Sequence, residues 1–186
     1  MFVLDLSVEK WVGNRNEGDL IENPSWHQIE AAIRELDGKS KTLVTLGADD
    51  EAYMSVGGGE LGKYVVNVTF DNINFHILVD LSKSDEIEKL VVGGQEGNYP
   101  AKMCVDLLPC LLAARTFTES GKLDSLLCWE EDKYARNGMI KAIAFPKPNT
   151  KRNASAYNST TLHDRKIKQS YYFDIDCNLV LIHDKH

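Results

Sequence analysis

The string Gly57-Gly58-Gly59-Glu60-Leu61-Gly62 matches GxGxxG, a spacing that lets a backbone approach a pyrophosphate closely. In a dinucleotide site such glycines lead from a strand into a helix whose N-terminus holds the phosphates. Here they lead into Lys63 to Phe70, where apolar residues recur every second position as in a strand. Glu60 would also repel a phosphate. The glycines therefore read as a connection between two strands. The five histidines, His27, His76, His163, His183 and His186, are scattered. They form no HxxxH, HxH or Cys/His pair at ligand spacing, so no metal is expected. No GxSxG, SxxK or activated-cysteine pattern is present, and neither a catalytic residue nor a cofactor is expected. The carboxylate runs Asp49-Asp50-Glu51 and Glu130-Glu131-Asp132 are adjacent in sequence and read as solvated turns, whereas paired acid–base carboxylates come from facing elements. Sequons at Asn67, Asn153 and Asn158 carry weight only in a secreted chain. The residues point away from an enzyme.

Composition narrows the class further. A chain of 186 residues suits one ordinary domain and buries enough surface to need no disulfide or metal. Its 43% hydrophobic and 26% charged residues are those of a globular protein. The longest apolar stretch, Leu107 to Ala114, is too short to cross a membrane. The N-terminus lacks a basic region, and Asp5 interrupts its apolar run, so a signal peptide is not expected. Cys104, Cys110, Cys128 and Cys177 are irregularly spaced and read as buried reduced thiols in a cytoplasmic protein. Net charge is −7 but unevenly placed. Residues 1–132 hold 24 acidic and 11 basic residues, and residues 133–186 hold 4 and 10. An acidic body disfavours nucleic acid as a partner and suits a basic protein.

The elements that would position these residues follow from periodicity. Phe2 to Leu6 reads as a strand, and Gly13 to Asn23 as a loop. Ser25 and Gln28 form a capping box, after which Trp26, Ile29, Ile33 and Leu36 line one helical face up to Gly38. Leu43 to Leu46 and Tyr53 to Val56 are strand candidates. Tyr64 to Val79 reads as a hairpin around a two-residue Asp71-Asn72 turn. That register pairs Phe70 with Ile73, Val68 with Phe75 and Val66 with Ile77, and puts His76 on the outer face beside Asn67 and Asn74. Leu90 to Val92 is a short strand entering Gly93-Gly94. A second helix, apolar on nearly every side, follows an Asp106 N-cap and closes at Gly121. Residues 146–161 read as a linker, and Tyr171 to Ile175 with Leu179 to Ile182 as a final hairpin.

The expected fold class is α+β: an antiparallel β-sheet meander packed on one face against two main helices, with a C-terminal β-hairpin extension. Residues 1–132 are expected to form an acidic core. Residues 133–186 form a basic, Pro-, Asn- and Ser-containing segment of the same domain.

One ordered set of residues is more specific than any single motif. It comprises Trp26 opening a helix, Val56-Gly57-Gly58-Gly59 before a strand, Val92-Gly93-Gly94-Gln95 with Gly97 and Tyr99-Pro100, the Phe117 to Gly121 helix end, and Trp129-Glu130. Over roughly residues 20 to 131 this order resembles immunity protein family one of bacterial polymorphic toxin systems. The resemblance implies a cytoplasmic α+β protein that protects its producer by binding a toxin. That partner would be the C-terminal domain of a protein encoded by a neighbouring gene, of the deaminase superfamily or a nuclease, held with its active site occluded. It carries over Gly93, Gly94, Gln95, Trp129 and Glu130 as family motif residues. Asp49, Asp50, Glu51, Glu60, Glu96, Tyr99, Glu130 and Glu131 are the partner-binding candidates, since an acidic body can fill a basic groove. Two alternatives stay open. One is a nucleic-acid-binding module using Lys151, Arg152, Arg165, Lys166 and Lys168; the other is a small-molecule enzyme with a site assembled from distant residues.

Overall fold

In a computed structural model of the protein the described residues are 1–48 and 51–132, together with the backbone of Ser170–Phe173 and Leu179–Ile182. The chain divides into two units, Met1–Pro148 and Asn149–His186. In chain order the first unit holds β1 (Asp5–Val8), β2 (Trp11–Val12), β3 (Arg15–Asn16), β4 (Asp19–Glu22), α1 (Trp26–Arg34), β5 (Leu43–Gly47), β6 (Tyr53–Gly58), β7 (Lys63–Thr69), β8 (Phe75–Val79), β9 (Ile87–Val92), β10 (Gln95–Pro100), β11 (Val105–Asp106), α2 (Leu107–Ser120) and β12 (Cys128–Glu131). The second holds an antiparallel hairpin of β13 (Ser170–Phe173) and β14 (Leu179–Ile182), where a final hairpin was expected. The 146–161 linker lies outside the described residues.

The main sheet has the order β12-β8-β7-β6-β5-β1-β4, with β11 paired to β7, and all its pairings are antiparallel. The α+β class is as expected. Alternation along the strands sends Leu6, Val44, Leu46, Met54, Val56, Val66, Val68 and Leu78 to the face covered by the helices, where they pack with Ile29, Ile33 and Phe117. The opposite face is covered too, which the sequence reading did not anticipate. There the β9–β10 hairpin lays Leu90, Val92 and Tyr99 against Leu43, Tyr53 and Val65. Double cover is why Tyr64-Val65-Val66 is continuously apolar rather than alternating.

Both helix starts and the close of α2 at Gly121 are as read, and the end of α1 is not. Ser25 Oγ accepts from the Gln28 backbone N–H, and the Gln28 side chain accepts from Ser25 N at 2.9 Å. Such a box is worth about 1 kcal/mol. α1 stops at Arg34, before Gly38, because the Asp37 carboxylate captures the N–H groups of Lys39, Ser40 and Lys41 at 2.8 to 2.9 Å and builds a turn. Asp106 is the N-cap of α2 but makes no capping bond; its carboxylate lies 3.0 Å from Lys83 Nζ instead. α2 is also not buried on all sides, since Leu108 and Leu112 are exposed.

Two strand expectations are corrected. The first strand runs Asp5–Val8, not Phe2 to Leu6, and the expected Gly13 to Asn23 loop contains β3 and β4. β4 pairs with β1. More consequential is the β7–β8 register, in which Asn67 faces Ile77, Val68 faces His76 and Thr69 faces Phe75. The turn is five residues long. Asp71 Oδ1 accepts from the Ile73 and Asn74 backbone N–H groups at 2.9 and 2.7 Å, and Asn72 takes φ 54°. An aspartate that folds its own loop in this way favours a longer connection than the two-residue turn. The one-residue shift moves Phe75 and Ile77 to the face opposite Val66 and Val68. It also brings His76 to the helix-covered face, its ring centroid 6.3 Å from that of Phe70.

Phe117 is fully buried and meets Phe2 edge-on at 5.4 Å. Replacing Phe117 with Ala should cost about 3–5 kcal/mol, read as a lower urea midpoint at unchanged slope.

Candidate functional site

The register places one end of every main strand in a common row. Glu22, Asp5, Gly47, Tyr53, Thr69 and Phe75 are successive partners across β4, β1, β5, β6, β7 and β8. The Asp132 N–H donates to the Phe75 carbonyl at 2.7 Å, bringing the end of β12 to the same row. Among the described residues, 1–4, 22–25, 48, 51–52, 70–74 and 131–132 reach this end. These described segments contain Glu22, Glu51, Asp71, Glu131 and Asp132, and no Lys or Arg. With Asp5, this end of the sheet is an acidic rim. Asp49 and Asp50 lie outside the described residues.

The two carboxylate titrations resolved on the rim differ in cause. Hydrogen bonds from the Asn74 and then the Ile73 backbone hold the Asp71 carboxyl down at about 2, so it is ionised at any physiological pH. Burial pushes the Asp5 carboxyl up; the Gly47 backbone opposes this and the facing Glu22 adds to it. Asp5 Oδ1 is buried with no hydrogen-bond partner. Like charges placed directly across strands cost stability. That cost is tolerated here at the margin of the sheet.

The partner-binding candidates do not all gather here. Glu51 and Glu131 lie on the rim, while Glu60 lies at the opposite end, in a short helical turn after Gly58, which pairs with Tyr64. Glu96 is on the exposed side of the β9–β10 hairpin, 3.0 Å from Lys89. Glu130 reaches Lys102 Nζ at 3.2 Å. Tyr99 is a core residue, 7% exposed, whose hydroxyl burial pushes up to about 12. Asp5, Glu22 and Asp71 were not singled out from the sequence. They are isolated acids there, and only the β1–β4, β1–β5 and β7–β8 pairings assemble them.

The family motif residues have structural placements. Gly93 and Gly94 form the two-residue turn of the β9–β10 hairpin with φ 61° and 74°, the conformation such tight turns require. Gln95 pairs with Val92 just beyond the turn and is exposed. Trp129 packs against the main core and donates its indole N–H to the Asp124 carbonyl at 3.1 Å. The GxGxxG string connects β6 to β7 and opens no α-helix, as expected.

Among the described residues no three His, Cys, Asp or Glu side chains are grouped to hold a metal ion, and no helix is long and apolar enough to cross a membrane. Cys104 and Cys110 are buried free thiols; burial raises the Cys104 thiol to about 11 and pushes Cys110 up as well. Cys128 is exposed, contrary to expectation, because β12 is an edge strand. Cys177 lies outside the described residues.

The family model of immunity protein Imm1 matches residues 17–131. Comparisons with curated proteins and with solved structures gave no match. The matched span takes in β4 through β12 and both helices, so the chain belongs to the Imm1 immunity protein family. Membership implies a cognate toxin as partner.

The two turn glycines differ in their surroundings. A Cβ on Gly93 would meet nothing closer than 3.9 Å, whereas one on Gly94 would lie 2.5 Å from the Trp11 ring. Gly93→Ala should cost about 1 kcal/mol in backbone strain. Gly94→Ala should cost roughly 1–3 kcal/mol more through overpacking, the difference being read from thermal unfolding of the two variants.

Proposed function

We propose that this Imm1-family chain neutralises a cognate toxin by binding it through the acidic rim of its main sheet and covering the toxin's active site. The observation that carries this reading is the convergence of Glu22, Asp5, Glu51, Asp71 and Glu131 at one end of the sheet, in described segments that hold no Lys or Arg. A toxin that acts on DNA or RNA, whether a deaminase-superfamily member or a nuclease, needs a basic groove to hold phosphates. An acidic surface seated in that groove competes with the substrate directly. Its field also accelerates encounter, by about 10- to 1,000-fold in steered associations. Speed has a use here, since the toxin must be caught before it turns over. The mechanism is occlusion without chemistry.

Calorimetric titration against the toxin domain encoded beside this chain, with toxin activity followed in parallel, tests the function. One-to-one binding with loss of activity is expected; no binding at micromolar concentration would remove that neighbour as the partner. The surface is tested separately by combining Glu22→Lys, Glu51→Lys and Glu131→Lys. This variant should associate at least roughly 10-fold more slowly at low salt and lose much of its salt dependence. Glu60→Lys with Glu96→Lys, away from the rim, should leave both quantities near wild type. The opposite pattern would place the toxin elsewhere on the molecule.

A further inference from the structure

At the sheet end opposite the rim, Glu9 is a carboxylate only 8% exposed. Its Oε2 accepts from the Trp11 indole N–H at 3.0 Å and from the Thr42 hydroxyl at 3.4 Å. Thr42, itself fully buried, accepts from the Gly94 backbone N–H at 2.9 Å. A chain of hydrogen bonds thus runs from the turn of the β9–β10 hairpin through Thr42 to Glu9, with the Trp11 ring wedged against Gly94. The charged residues on the elements around Glu9 are engaged elsewhere or face solvent. Lys41 pairs with Glu35 and Lys89 with Glu96, while Lys10, Arg15 and Lys39 are exposed. Asp5 is at the far end of β1. The carboxylate is held by a hydroxyl and an indole, with no cation.

We propose that Glu9 makes the docking of the β9–β10 hairpin pH-dependent, the turn being held tightly when Glu9 is protonated and released more readily when it is ionised. The physical reason is desolvation. An ionised carboxylate loses more on leaving water than a neutral one, and two neutral donors do not make up the difference. Burial is accordingly the largest influence on this carboxyl and raises its pKa, with Trp11 and then Thr42 pulling it back. The docked state therefore binds the Glu9 proton more tightly than an opened state in which water reaches the side chain. Docking is strongest below the ordinary glutamate pKa and weakens as pH rises through the raised one, levelling off above it. The hairpin is then more easily opened at neutral pH than at acid pH. Opening would uncover Leu43 and Val65 without disturbing the helix-covered core.

Amide hydrogen exchange of the full chain, corrected for intrinsic rates and compared at about pH 5 and about pH 8, reads this opening directly. In the wild type the opening constant for Gly94 and the β9–β10 amides should rise with pH, while that of β6 and α2 core amides should not follow. Glu9→Gln keeps both acceptor contacts and removes the charge, so it should protect the hairpin at the higher pH and abolish the dependence. A flat wild-type profile, an unchanged dependence in Glu9→Gln, or equal opening of the core amides would overturn the proposal. Should Glu9→Gln fail to fold, the wild-type Glu9 carboxyl titrated by NMR decides the matter. A value above the ordinary 4.5 supports the latch, and one at or below it refutes it.

Discussion

The central strands β5, β6 and β7 are buried along both faces, and this constraint organises the rest of the molecule. Helices α1 and α2 close one face and the β9–β10 hairpin packs on the other, each bringing an apolar surface of its own. Burial of this kind supplies the main driving force for folding. It also removes the middle of the sheet from contact with any partner. What stays available are the strand ends, the edges and the outer sides of the covering elements. Asp5, Glu22, Glu51, Asp71 and Glu131 lie at one of those strand ends.

That arrangement explains why the sequence showed the character of the protein better than its surface. The capping box at Ser25, the glycine turn at Gly93-Gly94 and the period-two strands β5 to β7 are local signals, and each formed where expected. The order of residues from Trp26 to Trp129 pointed to the family that the 17–131 match shows. Non-local facts were out of reach. Whether Asp5 stands beside Glu22 depends on β1 returning to pair with β4 and β5, and no short window of sequence encodes that. Asp71 misled for a different reason. It sits where a two-residue turn would put it, yet its side chain folds the following backbone into a longer loop and shifts the register by one.

The same physics separates the two carboxylates that depart most instructively from ordinary behaviour. Asp71 is exposed to water and surrounded by backbone donors, so its charge is stabilised and fixed. Glu9 has donors as well, but its burial outweighs them. One lies exposed in the β7–β8 turn at the sheet's rim; the other sits inside a joint between the sheet and its cover. Neither is set against a second titrating group as a general acid and base would be.

The central claim is that the toxin meets the acidic rim. The most direct test is an amide-exchange footprint of this chain alone and bound to its toxin. The account predicts new protection confined to residues 22–25, 51–53, 70–75 and 131–132, with the exposed face of α2 and the β9–β10 hairpin unchanged. Protection centred on Leu108 and Leu112, or on the hairpin around Glu96, with the rim exchanging as in the free protein, would contradict it.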